Sequence, residues 1–165
     1  MAETDTLDRA SAEHLLFEEA RLLDERDWDG WLGLYESDAV FWVPTWIDFD
    51  TVATDPLTQL SLIYYDSRKG LEERVWRLRS GLSVASAPLP RTLHLINNIQ
   101  VDPVNSRIRS NFTVQLFSAK QKRAHLNFGI YHHELRCTPA GWRIAAKKAI
   151  LLNDYLPVSL DVNAI

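Results

Sequence analysis

The sequence predicts an α+β fold in which N-terminal helices pack on a curved, mainly antiparallel sheet. Helical patterns dominate the first half of the chain, and long segments of strand composition follow in the second half. Turn sequences such as Asp102-Pro103 and Thr138-Pro-Ala-Gly141 separate those strands by hairpin distances. Helices followed by hairpin-linked strands are typical of α+β domains, in which the helices cover one face of the sheet.

Composition limits the class of protein. The 165 residues contain no repeat and no Gly/Ser-rich linker, so we expect one domain over residues 1–165. A net charge of −4 argues against nucleic-acid binding, which needs a basic surface. The single cysteine excludes an internal disulfide. The N-terminus lacks a signal-peptide pattern, and no apolar run approaches the roughly 20 residues that cross a membrane. We therefore expect a soluble cytoplasmic protein.

Two helices are predicted at the start of the chain. Apolar residues recur at helical spacing between Asp8 and Arg26, which predicts a long amphipathic helix. Asp27 suits the N-cap of a short second helix. That second helix is expected to have one aromatic face, made by Trp28, Trp31, Leu32 and Tyr35.

The middle of the chain combines a strand, a loop and a third helix. Residues 39–43 have strand composition and stop at Pro44, and residues 45–60 are predicted to form an acidic surface loop. The run 61–80 is predicted to be an arginine-rich amphipathic helix. Its core face is expected from the spacing of Leu71, Val75, Leu78 and Leu82. A second loop is expected over residues 83–90.

Four strands are predicted in the second half, over residues 92–101, 107–117, 126–137 and 142–152. Residues 107–117 alternate apolar and polar side chains, as expected of a strand with one buried face. Leu126, Phe128 and Ile130 show the same period of two in the next strand. These four segments supply most of the predicted sheet.

The number and spacing of metal-binding residue types exclude most metal sites. A Rieske centre needs two cysteines and two histidines, and the chain has one cysteine. A mononuclear facial triad needs converging histidines, but His132 and His133 are adjacent in a predicted strand and point to opposite faces. His94 stands alone and is expected to be a hydrogen-bonded structural histidine. We therefore expect no catalytic, cofactor-binding or metal-binding residue in this chain.

Two other functions stay open at this point. A pocket enzyme such as a dehydratase or isomerase would use an acid–base pair inside the fold. Its candidate residues, together with nearby carboxylates, are Tyr64, Tyr65, His94 and His132. A protein that only binds a small aromatic ligand is the other alternative. A hydrogen-bonded His–carboxylate pair that lines a pocket would favour the enzyme, and specific binding without turnover would favour the binding protein.

A subunit interface is predicted on the third helix and in the acidic loop. Arg68, Arg74, Trp76 and Arg77 cluster on the helix. Arginine and tryptophan are common at protein interfaces, although a solvated face with local ion pairs is the alternative. Trp46 follows Pro44 in the acidic loop, where an exposed tryptophan would indicate docking to a partner.

Several segments, taken in order, resemble the small (β) subunit of the aromatic-ring-hydroxylating dioxygenases. They are Phe41-Trp-Val-Pro-Thr-Trp46, Ser61-Leu-Ile-Tyr-Tyr65, Gly70-Leu-Glu-Glu-Arg-Val75 and Lys147-Lys-Ala-Ile-Leu-Leu-Asn-Asp-Tyr155. With the opening helix pair they cover nearly the whole chain. They are most similar to the benzoate, toluate and anthranilate branch of that family.

The resemblance implies a cone-like fold of the nuclear transport factor 2 (NTF2) type. It also implies assembly with a large α subunit as α3β3, in which copies of this chain form a homotrimer. The Rieske 2Fe–2S cluster and the mononuclear non-haem Fe(II) would lie on the α subunit, and a reductase would supply electrons from NADH. The β subunit would be structural, and the oxygenase would hydroxylate an aromatic acid such as benzoate or anthranilate.

Overall fold

Three α-helices and six strands make up most of the described chain. The computed structural model describes residues 6–81, 88–157 and 159–165. The helices are α1 (Arg9–Glu25), α2 (Trp28–Leu32) and α3 (Arg68–Ser80). The strands are β1 (Tyr35–Pro44), β2 (Ser61–Tyr65), β3 (Arg91–Asp102), β4 (Arg107–Ser118), β5 (Arg123–Thr138) and β6 (Gly141–Leu151). This architecture confirms the predicted α+β fold.

All six strands form one sheet in the order β2-β1-β6-β5-β4-β3. The pair β1–β6 is parallel and the other pairs are antiparallel, so the sheet is mainly antiparallel, as predicted. A bulge interrupts β3 between Asn97 and Gln100, where Asn98 takes a positive φ of 51°. Bulges bend and twist a strand, and they curve this sheet around the helices.

Helix α1 covers the inner face of the sheet, which we define as the face towards the helices. Asp8 caps the helix by accepting a hydrogen bond from the Ser11 backbone at 2.7 Å, and the helix ends at Arg26 in the left-handed conformation. The helix packs against β3. Its buried apolar stripe consists of Ala12, Leu15, Leu16, Ala20, Leu22 and Leu23. The predicted bounds of the first helix are thus confirmed within one residue.

The second helix is shorter than predicted. It ends at Leu32, and Tyr35 opens β1 instead of completing a helical face with Trp28 and Trp31. Trp31 and Tyr35 still meet, because their rings pack edge to face with centroids 5.2 Å apart. The polar stretch 36–38 concealed the beginning of this strand, which was predicted only from residue 39.

The predicted arginine-rich helix is also shorter, because its first residues form a strand. Ser61–Tyr65 pair with β1 as β2, and α3 starts at Arg68. Aromatic and β-branched residues such as Ile63 favour a strand, and Ser67 supplies an extended N-cap. The predicted core positions Leu71, Val75 and Leu78 are buried. Leu82 and most of the predicted loop 83–90 lie outside the described residues.

The four C-terminal strands lie within three residues of their predicted ends. In β5, however, the apolar triplet Leu126, Phe128 and Ile130 lies on the outer face, away from the helices, and Asn127, Gly129 and Tyr131 lie on the inner face. Only glycine fits at position 129, because a Cβ there would lie 1.9 Å from the Ile150 carbonyl oxygen. The outer face therefore carries apolar side chains that the fold itself does not cover.

Large side chains fill the space between the helices and the inner face. Phe112 and Tyr131 stack with centroids 4.1 Å apart, and Trp31 and Phe41 are fully buried beside them in the core. The segment Val162–Ile165 is buried in the same core. Across the described ranges, we find no helix with the length and apolar character that spanning a membrane requires.

Candidate functional site

The five predicted interface residues do not form one exposed patch. Trp76 and Arg77 lie on the solvent side of α3, and Trp76 is 62% exposed. Arg68, Arg74 and Trp46 bind other parts of the same chain. The structure therefore leaves two of the predicted residues available to a partner and uses three to hold the fold together.

Arg68 and Trp46 each fix a neighbouring element. Arg68 Nη1 donates to the carbonyl oxygen of Tyr35 at 3.0 Å and so ties α3 to β1. The Trp46 indole N–H donates to the Leu151 carbonyl oxygen at 2.8 Å and anchors the loop between β1 and β2. Trp46 is half-buried. Its indole N–H is used to hold the loop in place.

Arg74 binds the C-terminal segment, residues 159–165, through a two-fold ion pair with Asp161. Arg74 Nε donates to Asp161 Oδ1 at 2.8 Å, and Nη2 donates to Oδ2. Only 20% of the Arg74 side chain and 7% of the Asp161 side chain are exposed. The hydrogen bond to Asp161 raises the pKa of Arg74. Asp161 also accepts from the backbone N–H of Val162, which starts the buried 3₁₀ turn Val162–Ala164.

A charged cluster that no sequence pattern predicted lies in the core. Glu19 on α1 accepts hydrogen bonds from Tyr35 on β1, His133 on β5 and Lys147 on β6. Lys147 Nζ lies 2.8 Å from Glu19 Oε1, and His133 Nε2 lies 3.1 Å from Glu19 Oε2. None of the four residues is more than 3% exposed.

Burial and charge hold this cluster in one protonation state. Burial opposes the charge of Glu19, but the Lys147 ammonium and the His133 hydrogen bond outweigh it and keep the pKa of Glu19 below its ordinary value. Burial lowers the pKa of His133, against the opposing effect of Glu19. Neutral His133 must donate from Nε2, because an ionised carboxylate only accepts. Burial and the Glu19 charge raise the pKa of Tyr35, so its hydroxyl remains a donor.

Two features of the sequence point to this cluster in retrospect. Glu19 lies three or four residues from four leucines on the apolar stripe of α1. Lys147 shares the buried side of β6 with Ala149 and Leu151. A buried charge needs a partner of opposite charge. The pairing itself depends on the tertiary fold, because 128 residues separate Glu19 from Lys147.

The cluster has the residue types of an acid–base site, but its side chains are buried away from solvent. Both oxygens of Glu19 are occupied, Oε1 by Tyr35 and Lys147 and Oε2 by His133. Lys147 Nζ lies 4.1 Å from the centre of the Tyr131 ring, against which Phe112 stacks. A pocket enzyme needs an open volume beside its acid–base pair. His133 is among the residues that line a groove of about 320 Å³, but its side chain is 0% exposed.

A second His–carboxylate pair joins β3 to α1. His94 Nδ1 lies 2.5 Å from Asp24 Oδ1, and Asp24 also accepts from the His94 backbone at 2.9 Å and from the Thr92 hydroxyl at 3.0 Å. Burial opposes the charge of Asp24, but these hydrogen bonds prevail and lower its pKa. Both residues border a shallow groove of about 300 Å³, yet only 1% of the His94 side chain is exposed. These contacts are those of a structural histidine.

The other candidates for acid–base chemistry do not converge with His94. Tyr64 and His132 lie on the outer face, in register with Trp42 and Lys148, whereas His94 is buried on the inner face. Tyr65 lies on the inner face, opposite Phe41, but its strand β2 and the His94 strand β3 are the two opposite edges of the sheet. His132 and His133 point to opposite faces, as predicted. Within residues 6–81, 88–157 and 159–165, no three or more His, Cys, Asp or Glu side chains are grouped so that they could hold a metal ion.

Comparisons with known proteins identify close relatives. The family model of the ring hydroxylating beta subunit matches residues 18–158. The 2-halobenzoate 1,2-dioxygenase small subunit of Burkholderia cepacia is 43% identical over 148 residues, which are 89% of this chain and 90% of that protein. The benzoate 1,2-dioxygenase subunit beta of Acinetobacter baylyi is 37% identical, and the match covers 96% of this chain and 94% of that protein.

Solved structures agree with the sequence comparison. The beta subunit of the benzoate 1,2-dioxygenase from Burkholderia mallei superposes with a TM-score of 0.81 at 34% identity, covering 98% of this chain and 100% of that chain. An NTF2-like protein from Novosphingobium aromaticivorans superposes with a TM-score of 0.58 at 15% identity, covering 90% and 84%. The second likeness concerns the fold alone, and it confirms the predicted NTF2-like architecture.

Proposed function

Because this chain belongs to the ring-hydroxylating beta subunits, we propose that it is the structural, non-catalytic subunit of an aromatic-ring-hydroxylating dioxygenase. The relatives whose sequences match over most of the chain are small or beta subunits of dioxygenases that act on 2-halobenzoate, benzoate and anthranilate. The substrate of the oxygenase is accordingly an aromatic acid of this kind. The whole oxygenase is an oxidoreductase whose active site lies on its large subunit.

The packed interior carries this proposal. Related folds can enclose a pocket, but here Phe112, Tyr131 and the charged cluster around Glu19 occupy the space between helices and sheet. Filling that space stabilises the fold and places packed aromatic side chains, instead of an open pocket, against the Glu19 cluster. A rigid, well-packed domain suits a subunit that positions other subunits.

The donor set of this chain does not fit the metal centres of the reaction. A Rieske cluster takes two cysteines and two histidines, and Cys137 is the only cysteine of the sequence. The large α subunit would therefore hold the Rieske 2Fe–2S cluster and the mononuclear non-haem Fe(II). A reductase would pass electrons from NADH to that subunit. No residue of this chain takes part in a step of the reaction.

The task of this chain would be to fix the geometry of the large subunits. In an α3β3 assembly the beta subunits form a homotrimer, and each positions a large subunit so that electrons cross between neighbouring large subunits. Trp76 and Arg77, exposed on α3, are the proposed contacts with the large subunit. Arg68, Arg74 and Trp46 would support that contact indirectly by holding α3, the C-terminal segment and the loop before β2. We place the complex in the cytoplasm.

Co-expression with the large subunit of the same oxygenase tests this proposal. Affinity purification through a tag on this chain should recover a red-brown complex that contains iron and shows Rieske absorption. When the reductase is added, this complex should consume benzoate or a substituted benzoate in an NADH-dependent reaction. Recovery of the chain alone, colourless and iron-free, from cells that contain a folded large subunit would contradict the proposal. So would full activity of the large subunit without this chain.

A further inference from the structure

The outer face of the sheet carries a row of three basic residues on neighbouring strands, with a histidine between an arginine and a lysine. His132 on β5 stands in register with Arg109 on β4 and with Lys148 on β6. Residues directly opposite on adjacent strands share a face, with Cβ atoms about 4.5–5.5 Å apart. We call Arg109, His132 and Lys148 the cationic row.

The cationic row has no acidic partner among the residues that the structure describes. Arg109 contacts only the side-chain oxygen of Asn111, at 3.5 Å. Lys148 lies over the Trp42 ring, 4.5 Å from its centre. Glu134 lies two positions along β5 from His132, but it is bound to Arg107 at 2.9 Å. Burial and the positive charges of Lys148 and Arg109 on either side lower the pKa of His132. A carboxylate supplied from outside would be stabilising beside these two charges.

An apolar area adjoins the cationic row on the same face. Thr113 on β4 stands between Phe128 on β5 and Leu95 on β3. Gln115 stands between Leu126 and Leu93 in the same way. Leu152 lies beside Phe128, to whose carbonyl oxygen its backbone N–H donates. Between 39% and 52% of each of the five apolar side chains is exposed. Contiguous exposed apolar area of this kind marks an interaction site.

The loop between β1 and β2 offers the complementary chemistry. Its tip, residues 47–50, reads Ile-Asp-Phe-Asp, and Phe49 is fully exposed. The Asp48 carboxylate accepts hydrogen bonds from the backbone N–H groups of Asp50 and Thr51, at 2.9 and 2.7 Å. Trp46 anchors the base of the loop on Leu151. An acidic tip that is already ordered loses little conformational entropy when it binds.

From these two features we propose that the acidic tip of one copy, residues 47–50, docks on the outer face of a second copy, with Phe49 on the apolar area and Asp50 at the cationic row. The inference rests on the proposed function, since it supplies the self-association surface of the beta subunits. The tip does not reach its own outer face, because Phe49 is fully exposed.

The charges also decide how the two copies are arranged. A face-to-face dimer would bring two cationic rows together, and their repulsion disfavours it. Docking of the tip on the face brings opposite charges together and uses two different surfaces of the chain. Such head-to-tail contacts generate closed rings when the rotation between copies closes. A ring of three copies meets the requirement of the proposed α3β3 assembly.

A charge-swap experiment on the full-length chain tests this docking. Sedimentation velocity should show a trimer for the unmodified chain, and Asp50→Lys, Arg109→Glu and Phe49→Ala should each weaken association by about tenfold or more. A chain that carries both Asp50→Lys and Arg109→Glu should regain association, because each interface again pairs opposite charges. Glu13→Lys, on α1, changes the net charge as much as Asp50→Lys and should have no effect.

Two outcomes would overturn the docking model. One is an unmodified chain that stays monomeric, and the other is a set of tip and face variants that associate like the unmodified chain. Binding of the large subunit is measured in parallel by co-purification. Face variants that form trimers but lose the large subunit would assign the outer face to that subunit instead. The two failures are distinguishable, because loss of self-association leaves the proposed function intact as long as the unmodified chain binds the large subunit.

Discussion

Lys147 and Glu19 form an ion pair at 2.8 Å in the middle of the core, shielded from water on all sides. Lys147 comes from a strand near the end of the chain and Glu19 from the first helix. The pair, completed by His133 and Tyr35, therefore connects α1 to the strands β1, β5 and β6. It replaces the open pocket that an enzyme of this fold would need with a fixed polar centre.

Removing one partner of this pair should destabilise the fold strongly. Lys147→Met leaves the Glu19 charge buried without its cation, and we expect a loss of about 3–5 kcal/mol in the free energy of unfolding. Urea denaturation measures this loss. Lys148→Met, the adjacent position on the outer face, is the matched control and should lose about 1 kcal/mol or less. Adding Glu19→Gln to Lys147→Met should restore part of the stability, because no charge then remains unpaired. Equal losses for the two lysine variants would refute this account.

Stability should fall as the pH falls below neutrality. The pKa of His133 lies below 6.5 and that of Glu19 below 4.5 in the folded protein, so the unfolded chain binds more protons at acidic pH. The contribution of His133 is complete above pH 6.5 and is lost as the pH falls through its folded pKa. That of Glu19 is complete above pH 4.5 and is lost at lower pH.

Thermal unfolding between pH 4 and 8 measures this dependence. His133→Gln should reduce the slope of the melting temperature between pH 6.5 and 5, whatever its effect on the melting temperature itself. An unchanged slope in that variant would show that other groups cause the dependence.

The ion pair between Arg74 and Asp161 should hold the C-terminal segment in place. Arg74→Ala leaves Asp161 without its cation, and we expect a loss of about 2–3 kcal/mol in the free energy of unfolding. Hydrogen exchange of the amides of Val162–Ile165 should accelerate in this variant. Arg77→Ala, on the exposed side of the same helix, serves as the control and should change neither quantity. Unaltered exchange in Arg74→Ala would show that core packing alone holds the segment.

Trp76 should matter for the complex and not for the fold. Because Trp76 is largely exposed, Trp76→Ala should leave the melting temperature of the isolated chain within about 1 °C or 2 °C. Its affinity for the large subunit should fall by about tenfold, as expected for an aromatic residue at the centre of an interface. Tyr155→Ala removes another exposed aromatic ring and is the control. An intact hexamer of normal stability with Trp76→Ala would argue against this contact.

His94 should contribute to the stability of the fold and not to the chemistry of the oxygenase. His94→Gln removes the ring that binds Asp24, so we expect a lower melting temperature but unchanged turnover per iron in the assembled oxygenase. His132→Ala, on the outer face, should likewise leave turnover per iron unchanged once the complex has formed. Turnover and iron content of the purified complex provide the measurement. A variant that assembles, retains its iron and turns over nothing would overturn the structural role of that histidine.

Local sequence patterns predicted most of the elements and missed those that depend on distant partners. The helix from Arg9 to Glu25 followed from its apolar periodicity, and the four long strands from alternation and turn residues. The strand Ser61–Tyr65 was missed, because pairing with β1 stabilises it while its neighbours favour a helix. The start of β1 was missed for a similar reason, since Glu36 and Asp38 are polar residues that bind Arg136 on β5.

Periodicity, motif order and residue counts were enough to predict the α+β class and the family and to exclude a Rieske centre from this chain. Which charges are used inside the chain and which face outward depends instead on the packing of the folded chain. Arg74, a predicted interface residue, binds Asp161, which lies 87 residues away in the sequence, and the apolar triplet of β5 lies on the uncovered face. Whether a side chain is buried or paired depends on elements that are distant in the sequence, so a local sequence pattern does not predict it.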